Sequence, residues 1–353
     1  MIETQLKLYQ DRINKEIDDF CDKLVNDFSK QHGTYSEEVI GVYCDMLRRG
    51  GKRLRGLLTL VAYDMCGGRD KQLANKLALV VEMIHTYVLI MDDIVDESLT
   101  RRDGPTAHRV MQSVFETKNL KGEKKHFGNS QALHAGLAGA HLAQLELNNL
   151  ETDTRTINSL SRDLQQSLLV AINGQIEDVF FEALSGEVSV DNVLAMNERK
   201  TAYYSFLMPL RLGAIMAGVV EEEKLHMLRE FSLFAGTAYQ VEDDLIDLFS
   251  DSDASDIKEG KMTYLVAETL SRLTPEQKQD FLSVLGKPNV SEAEAEWFRS
   301  VVVDHDVDDS ARDLIASMTQ KSLETVDSFP PEWRASQVEF LREFISRLGS
   351  RTS

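Results

Sequence analysis

Apolar residues return at intervals of three and four along almost the whole chain, the spacing of helices that bury one face. The clearest stretch places Leu77, Val80, Val81, Ile84, Val88 and Met91 on a single stripe. The same spacing predicts helices over the first thirty residues and over 129–149, 156–182, 190–218, 222–249, 263–271, 275–285, 291–303, 307–326 and 331–348. Thr274-Pro275 and Pro330-Pro331 serve as start signals. Gly67-Gly68, Gly104-Pro105, Gly122 and Gly128 read as breaks between helices. Strand-like alternation is scarce, so the expected fold is all-α, an antiparallel bundle of long helices. With 353 residues, six prolines and no low-complexity linker, the expectation is a single helical domain over 1–353.

Two of these helices end alike, one in Asp92-Asp93-Ile94-Val95-Asp96 and the other in Asp243-Asp244-Leu245-Ile246-Asp247. Positions i and i+4 share a helix face, so Asp92 and Asp96 are neighbours, as are Asp243 and Asp247. Like charges at that spacing cost an isolated helix about 0.2–0.5 kcal/mol per pair, and the helix dipole disfavours them near a C-terminus. Two such arrangements suggest a compensating cation. Oxygen-only ligands select a hard ion, and magnesium takes one or two carboxylates and completes its shell with water and substrate phosphates. No EF-hand loop or His-Glu-x-x-His pattern is present. Either motif taken alone is equally compatible with a solvated acidic helix end.

Charge sharpens this picture. The formal net charge is −19, which makes nucleic acid and anionic membranes poor partners and is itself compatible with simple solubility. An anionic substrate would need a local basic pocket. Gly50-Gly51-Lys52-Arg53-Leu54-Arg55-Gly56 supplies one candidate at a helix start, with Lys52 and Arg55 able to reach one side and Arg53 pointing elsewhere. Arg101-Arg102 follows the first acidic motif closely enough to fold back towards it, and arginine offers phosphate a bidentate fork. Both basic sets are also compatible with ordinary surface charge. Cys21, Cys44 and Cys66 are scattered, without a CxxC pair, which fits a reducing compartment. The apolar run Leu77–Met91 is interrupted by Glu82 and His85 and is too short to span a bilayer. The polar start Met1-Ile2-Glu3-Thr4 is unlike a signal peptide, so the expected location is the cytoplasm.

Gly50–Gly56, the first Asp motif with Arg101-Arg102, Lys200-Thr201, and Tyr239-Gln240 ahead of the second Asp motif resemble, in order and spacing, the trans-isoprenyl diphosphate synthases. His126–Ser130, Gly174-Gln175 and Gly260–Thr263 add to the likeness, which runs from about 45 to 270, and Lys200–Phe206 looks like the farnesyl diphosphate synthases. The resemblance implies helices around a central apolar cavity, a homodimer, and transfer of an allylic diphosphate's prenyl group to isopentenyl diphosphate. By it, Lys52, Arg55, His85 and Arg102 hold isopentenyl diphosphate, while Arg101, Lys200 and Lys261 hold the allylic diphosphate. Asp92, Asp96 and Asp243 are the main magnesium ligands, with Asp93, Asp244 and Asp247 close by, and Thr201 and Gln240 face the reacting carbon. Tyr87 and Val88, just before the first motif, set the chain-pocket floor. One aromatic at the fifth place upstream resembles twenty-carbon synthases, so geranylgeranyl diphosphate is the expected product, with farnesyl diphosphate next.

Two departures stand out: Gly136-Leu137 replaces the Gly-Asp common in the family, and the loop 250–255 is short and lacks the usual Gly-Lys, with Lys258 no aligned replacement. A class I terpene cyclase shares fold and first motif but usually carries an Asn/Ser/Glu second motif. A non-catalytic partner subunit would have lost acidic motifs, and a purely structural helical protein leaves both unexplained.

Overall fold

The computed structural model describes residues 2–184, 188–249, 255–287 and 289–347. The chain folds into two compact units, Met1–Ser161 with Leu212–Gly218, and Arg162–Arg211 with Val219–Ser353. Helices dominate both, and the described strands are one two-residue pair.

The first unit opens with α1 (Ile2–His32), α2 (Thr34–Arg48), α3 (Leu54–Met65) and α4 (Lys71–Val95). α1 buries Ile2, Tyr9, Ile13, Ile17, Cys21 and Leu24, a single stripe along the helix. Asp70 caps α4 by accepting from the backbone N–H groups of Gln72 (2.9 Å) and Leu73 (3.0 Å). α4 packs against α1, α2, α3, α5 (Ala107–Thr117) and α6 (Lys124–Asn148). Neighbours on several sides bury Leu79, Met83 and Ile90 besides the predicted stripe, whose Val88 and Met91 are half-buried.

Between α4 and α5, β1 (Thr100–Arg101) pairs with β2 (Gly104–Pro105). The turn residues Arg102 and Asp103 have φ of 53° and 59°, the type I′ hairpin pattern. This turn, invisible to a helical periodicity, doubles the arginine pair back on the chain. Gly128, expected as a break, lies inside α6. A Cβ there would stand 2.6 Å from the His108 carbonyl, so the missing side chain admits α5 rather than ending the helix.

α7 (Thr154–Ala183) begins in the first unit and continues in the second. The predicted helix 190–218 resolves into α8 (Val190–Asn197), a π-helix (Glu198–Leu207) and α9 (Met208–Met216). α7 and α10 (Glu222–Phe249) press on the π-helix backbone. A Cβ on Gly174 would stand 2.5 Å from the Lys200 nitrogen, and one on Gly236 2.4 Å from the Ala202 Cα. π-turns concentrate at functional sites, and this one carries Lys200 and Thr201.

The second unit continues with α11 (Ser255–Glu259), α12 (Tyr264–Arg272), α13 (Pro275–Val284), α14 (Glu292–Asp304), α15 (Val307–Asp327) and α16 (Ala335–Ser346). Thr274 and Gln277 form a capping box ahead of Pro275. The Pro330-Pro331 signal is misplaced. The chain turns there, Trp333 N–H donates to the Pro330 carbonyl (3.0 Å), and α16 starts at Ala335. Trp333 is buried edge-on against Phe329, which fixes that turn. Of the loop 250–255, residues 250–254 lie outside the described residues.

Candidate active-site residues

In the first unit the basic set gathers around the start of α3. Arg53, with φ of 50°, ends the approach to the helix and turns into the core, donating to Asn14 Oδ1 (2.9 Å), the Leu47 carbonyl (2.8 Å) and buried Glu82 (3.3 Å). Glu82 also accepts from Gly56 N–H (2.9 Å), which pins the first turn of α3 to α4. Lys52 precedes the helix and is exposed, while Arg55 sits on its first turn. Arg55 Nη1 lies 3.1 Å from His85 Nε2. Since guanidinium only donates, Nε2 accepts and the ring proton is on Nδ1. Burial, then the charges of Arg55, Arg102, Arg101 and Arg53, hold the His85 pKa well below its usual range, so the imidazole is neutral. Arg102 lies over Gly51, where a Cβ would meet its Nε at 3.0 Å. Its buried Nη1 has no hydrogen-bond partner among the described residues. Arg55 and Arg102 therefore flank a neutral His85, with the Arg102 donor to spare for an anion, and Lys52 precedes them in the chain as an exposed cation.

The first acidic motif closes α4. Asp92 and Asp96 are half-buried, and Asp96 caps the helix through its N–H to the Asp92 carbonyl (2.9 Å). Asp93 points inward. Arg101 Nε donates to it at 2.7 Å, and the same guanidinium is 3.6 Å from Asp92. Burial raises the Asp93 pKa against the lowering effect of Arg101. Tyr87 and Val88 are half-buried further up α4. Gly136 on α6 faces Met91, Ile90 and the Tyr87 carbonyl, and Leu137 is exposed.

In the second unit Thr201 Oγ1 donates to Gln240 Oε1 (2.6 Å), and Gln240 Nε2 donates to Asp244 Oδ1 (2.8 Å). Asp244 is buried and its Oδ2 has no hydrogen-bond partner among the described residues. Desolvation pushes its pKa up to about 7 despite the Gln240 hydrogen bond. Asp243 is exposed on α10, and Asp247 caps α11, accepting from Ser255 (2.8 Å) and the Asp256 N–H (3.1 Å). Lys200 meets Asp178 at 2.5 Å. Lys261 meets Glu182 at 2.6 Å and Asp178 at 3.6 Å. Asp178, Lys200, Gln240, Asp244, Asp256 and Lys261 line one cavity of about 90 Å³.

Sequence reasoning missed Asp178, Glu182 and Asp256. Asp178 and Glu182 form an i,i+4 acidic pair on α7 just after Gly174-Gln175, the same repulsive spacing that drew attention to the Asp motifs. Asp256 falls beside the short loop and carried no signal of its own.

Among the described residues no group of three or more His, Cys, Asp or Glu side chains is arranged to hold a metal ion. The donors present still suit a hard divalent cation: paired carboxylates one turn apart at two helix ends, and a buried Asp244 oxygen without a protein donor.

Comparison with known proteins agrees. Residues 37–302 match the family model Polyprenyl synthetase. A short chain isoprenyl diphosphate synthase of Methanocaldococcus jannaschii is 31% identical over 255 residues, covering 70% of this chain and 71% of that protein. A geranylgeranyl diphosphate synthase of Saccharolobus solfataricus is 28% identical over 306 residues, covering 84% and 86%. The fold is that of the geranylgeranyl pyrophosphate synthase from Corynebacterium glutamicum, solved with isoprenyl diphosphate and magnesium. Its TM-score is 0.89 at 24% identity, covering 97% of this chain and 99% of that one. The chain belongs to the polyprenyl synthetase family and is an isoprenyl diphosphate synthase. No described helix is long and apolar enough to cross a membrane.

Proposed function

We propose that the enzyme condenses isopentenyl diphosphate with an allylic diphosphate to make geranylgeranyl diphosphate, releasing diphosphate, in the cytoplasm and with magnesium. The observation that carries this reading is a cationic set beside each acidic motif. Arg101 is 3.6 Å from Asp92, and Lys200 and Lys261 share with Asp244 one cavity. Lys52, Arg55, His85 and Arg102 hold isopentenyl diphosphate. Arg101, Lys200 and Lys261 hold the allylic diphosphate. Asp92, Asp96 and Asp243 would hold magnesium, with Asp93, Asp244 and Asp247 supporting them. Bound magnesium supplies charge neutralisation to the departing diphosphate.

The allylic C–O bond breaks first, and the cation left behind needs oxygen dipoles but no nucleophile. The Thr201–Gln240–Asp244 chain meets that need. Gln240 must turn its NH₂ to the carboxylate, so its Oε1 faces Thr201, whose proton is committed to it. Thr201 then presents lone pairs alone. The isopentenyl double bond attacks, a C–C bond forms, and a proton leaves to the released diphosphate.

Product length rests on Tyr87, about 7.5 Å along α4 from Asp92. Replacing it, Tyr87→Ala, is expected to lengthen the product by at least one five-carbon unit, read by chromatography of radiolabelled products. The likeness of Lys200–Phe206 to farnesyl synthases favours a fifteen-carbon product as the second reading. The deciding experiment supplies labelled isopentenyl diphosphate, magnesium, and dimethylallyl, geranyl or farnesyl diphosphate in turn. Elongation to twenty carbons is expected; absence of any elongation overturns the proposal. Hydrocarbon release from the allylic substrate alone would indicate a cyclase.

We place the homodimer contact on α7. Leu169, Ile172, Ile176, Val179 and Phe180 form an exposed apolar stripe, with Phe180 64% exposed. Such a stripe is suited to a second copy of itself, apolar contact offsetting the repulsion between two chains of net charge −19. Phe180→Glu is expected to convert dimer to monomer in sedimentation velocity, and an unchanged sedimentation coefficient would remove α7 from the interface.

A further inference from the structure

The cavity lined by Lys200 and Lys261 holds a polar group that the assignments above leave unused. Asn197 ends α8 and begins the π-helix, yet its side chain makes no cap hydrogen bond. It is 5% exposed, lines the same cavity as Lys200, Gln240, Asp244 and Lys261, and its Nδ2 has no hydrogen-bond partner among the described residues. Met196 beside it is buried apolar core. An apolar residue of similar size would spare α8 the cost of a buried, unpaired amide. A buried donor without a protein acceptor, on a residue that lines a cavity with two ammonium groups, is matched to an anionic oxygen.

We propose that Asn197 is a further substrate-binding residue, donating from Nδ2 to a phosphate oxygen of the allylic diphosphate held by Lys200 and Lys261. This rests on the prenyl-transfer reading above. The lysines are point charges that grip phosphate from any direction, whereas an amide N–H fixed at a helix junction accepts one orientation only. Both ammonium groups already face carboxylates, Lys200 on Asp178 and Lys261 on Glu182 and Asp178. The Asn197 donor is uncommitted, so its hydrogen bond to phosphate displaces no protein partner. It discriminates the diphosphate's position in the cavity rather than its charge.

The test is the variant Asn197→Leu, with Asn197→Asp as its isosteric companion. Asn197→Leu is expected to raise the KM for geranyl diphosphate roughly tenfold, the effect of losing one hydrogen bond to a charged group, and to leave the KM for isopentenyl diphosphate within about twofold. Its thermal midpoint without substrates is expected to rise by about 2 °C, because an unpaired buried donor is removed. Asn197→Asp keeps the shape, puts an oxygen where the donor was, and is expected to weaken inorganic diphosphate binding with magnesium, by calorimetry, more than Leu does. A merely structural asparagine gives the opposite pattern: a lowered midpoint in Asn197→Leu with both KM values unchanged, which would overturn the proposal. Unchanged diphosphate binding by Asn197→Asp would overturn it too. A wild-type protein that fails to elongate sinks the functional reading itself, and is seen before any variant is measured.

Discussion

Asp92→Ala is expected to lower kcat/KM for prenyl transfer by at least about a hundredfold while leaving the fold intact. The size follows from what the carboxylate does. Charge developing on a leaving diphosphate must be met by fixed opposite charge, and one such contribution is commonly worth about 2.7–4 kcal/mol. The intact fold follows from the environment of Asp92. It is half-buried at the C-terminal end of α4, beside Asp96, and its 3.6 Å contact with Arg101 is secondary to that arginine's 2.7 Å hydrogen bond to Asp93. Removing it relieves an i,i+4 repulsion and an unfavourable dipole contact, each a few tenths of a kcal/mol. The thermal midpoint of substrate-free protein should therefore stay level or rise slightly as activity collapses. Asp93→Ala should behave differently, because it leaves Arg101 without its closest partner and costs stability as well. Asp92→Ala that transfers prenyl groups at the wild-type rate would remove the first motif from the metal assignment.

Much of this was legible in the sequence because the chemistry is repetitive. The two Asp-Asp-x-x-Asp ends stand out against an acidic chain only because they recur at the same place on two apolar helices. The bounds of the second helix were legible too, since α10 runs Glu222–Phe249, the span read from periodicity, whereas α4 runs Lys71–Val95, beyond both ends of the apolar stripe 77–91. Sequence reading lost ground where a residue's role depends on a neighbour remote in the chain. Nothing local distinguishes the glycine at 128, which admits α5, from one that ends a helix. Nothing in the 190–218 pattern reveals a π-helix, since its cause lies at Gly174 and Gly236. From the residues alone Arg101 and Arg102 looked alike as a pair, and only the family resemblance gave them different substrates. Their separation, one to Asp93 and the other over Gly51, comes from two positive-φ turn residues. Asp178 and Asn197 escaped notice for the same reason, being ordinary polar residues until Lys200 is set beside them.

The largest stability effect should come from a residue that touches no substrate. Arg53 and Glu82 are 3% and 1% exposed and share an ion pair at 3.3 Å. Each also has duties the other cannot assume: Arg53 satisfies Asn14 and the Leu47 carbonyl, and Glu82 satisfies Gly56 N–H. Breaking one side of such a pair typically costs about 3–5 kcal/mol, because the remaining charge is stranded. Glu82→Leu is accordingly expected to lower the unfolding free energy from chemical denaturation by an amount in that range and to speed hydrogen exchange in α3, whose first turn loses its tie to α4. Arg53→Met combined with Glu82→Leu should recover part of the loss but not all, since the Asn14, Leu47 and Gly56 groups stay unsatisfied. The same tie holds the backbone from which Arg55 reaches His85 at 3.1 Å. Glu82→Leu should therefore raise the KM for isopentenyl diphosphate at temperatures where the protein is still folded. An unfolding free energy within about 0.5 kcal/mol of wild type, the ordinary range of surface substitutions, would show that the buried pair does not carry this corner of the fold.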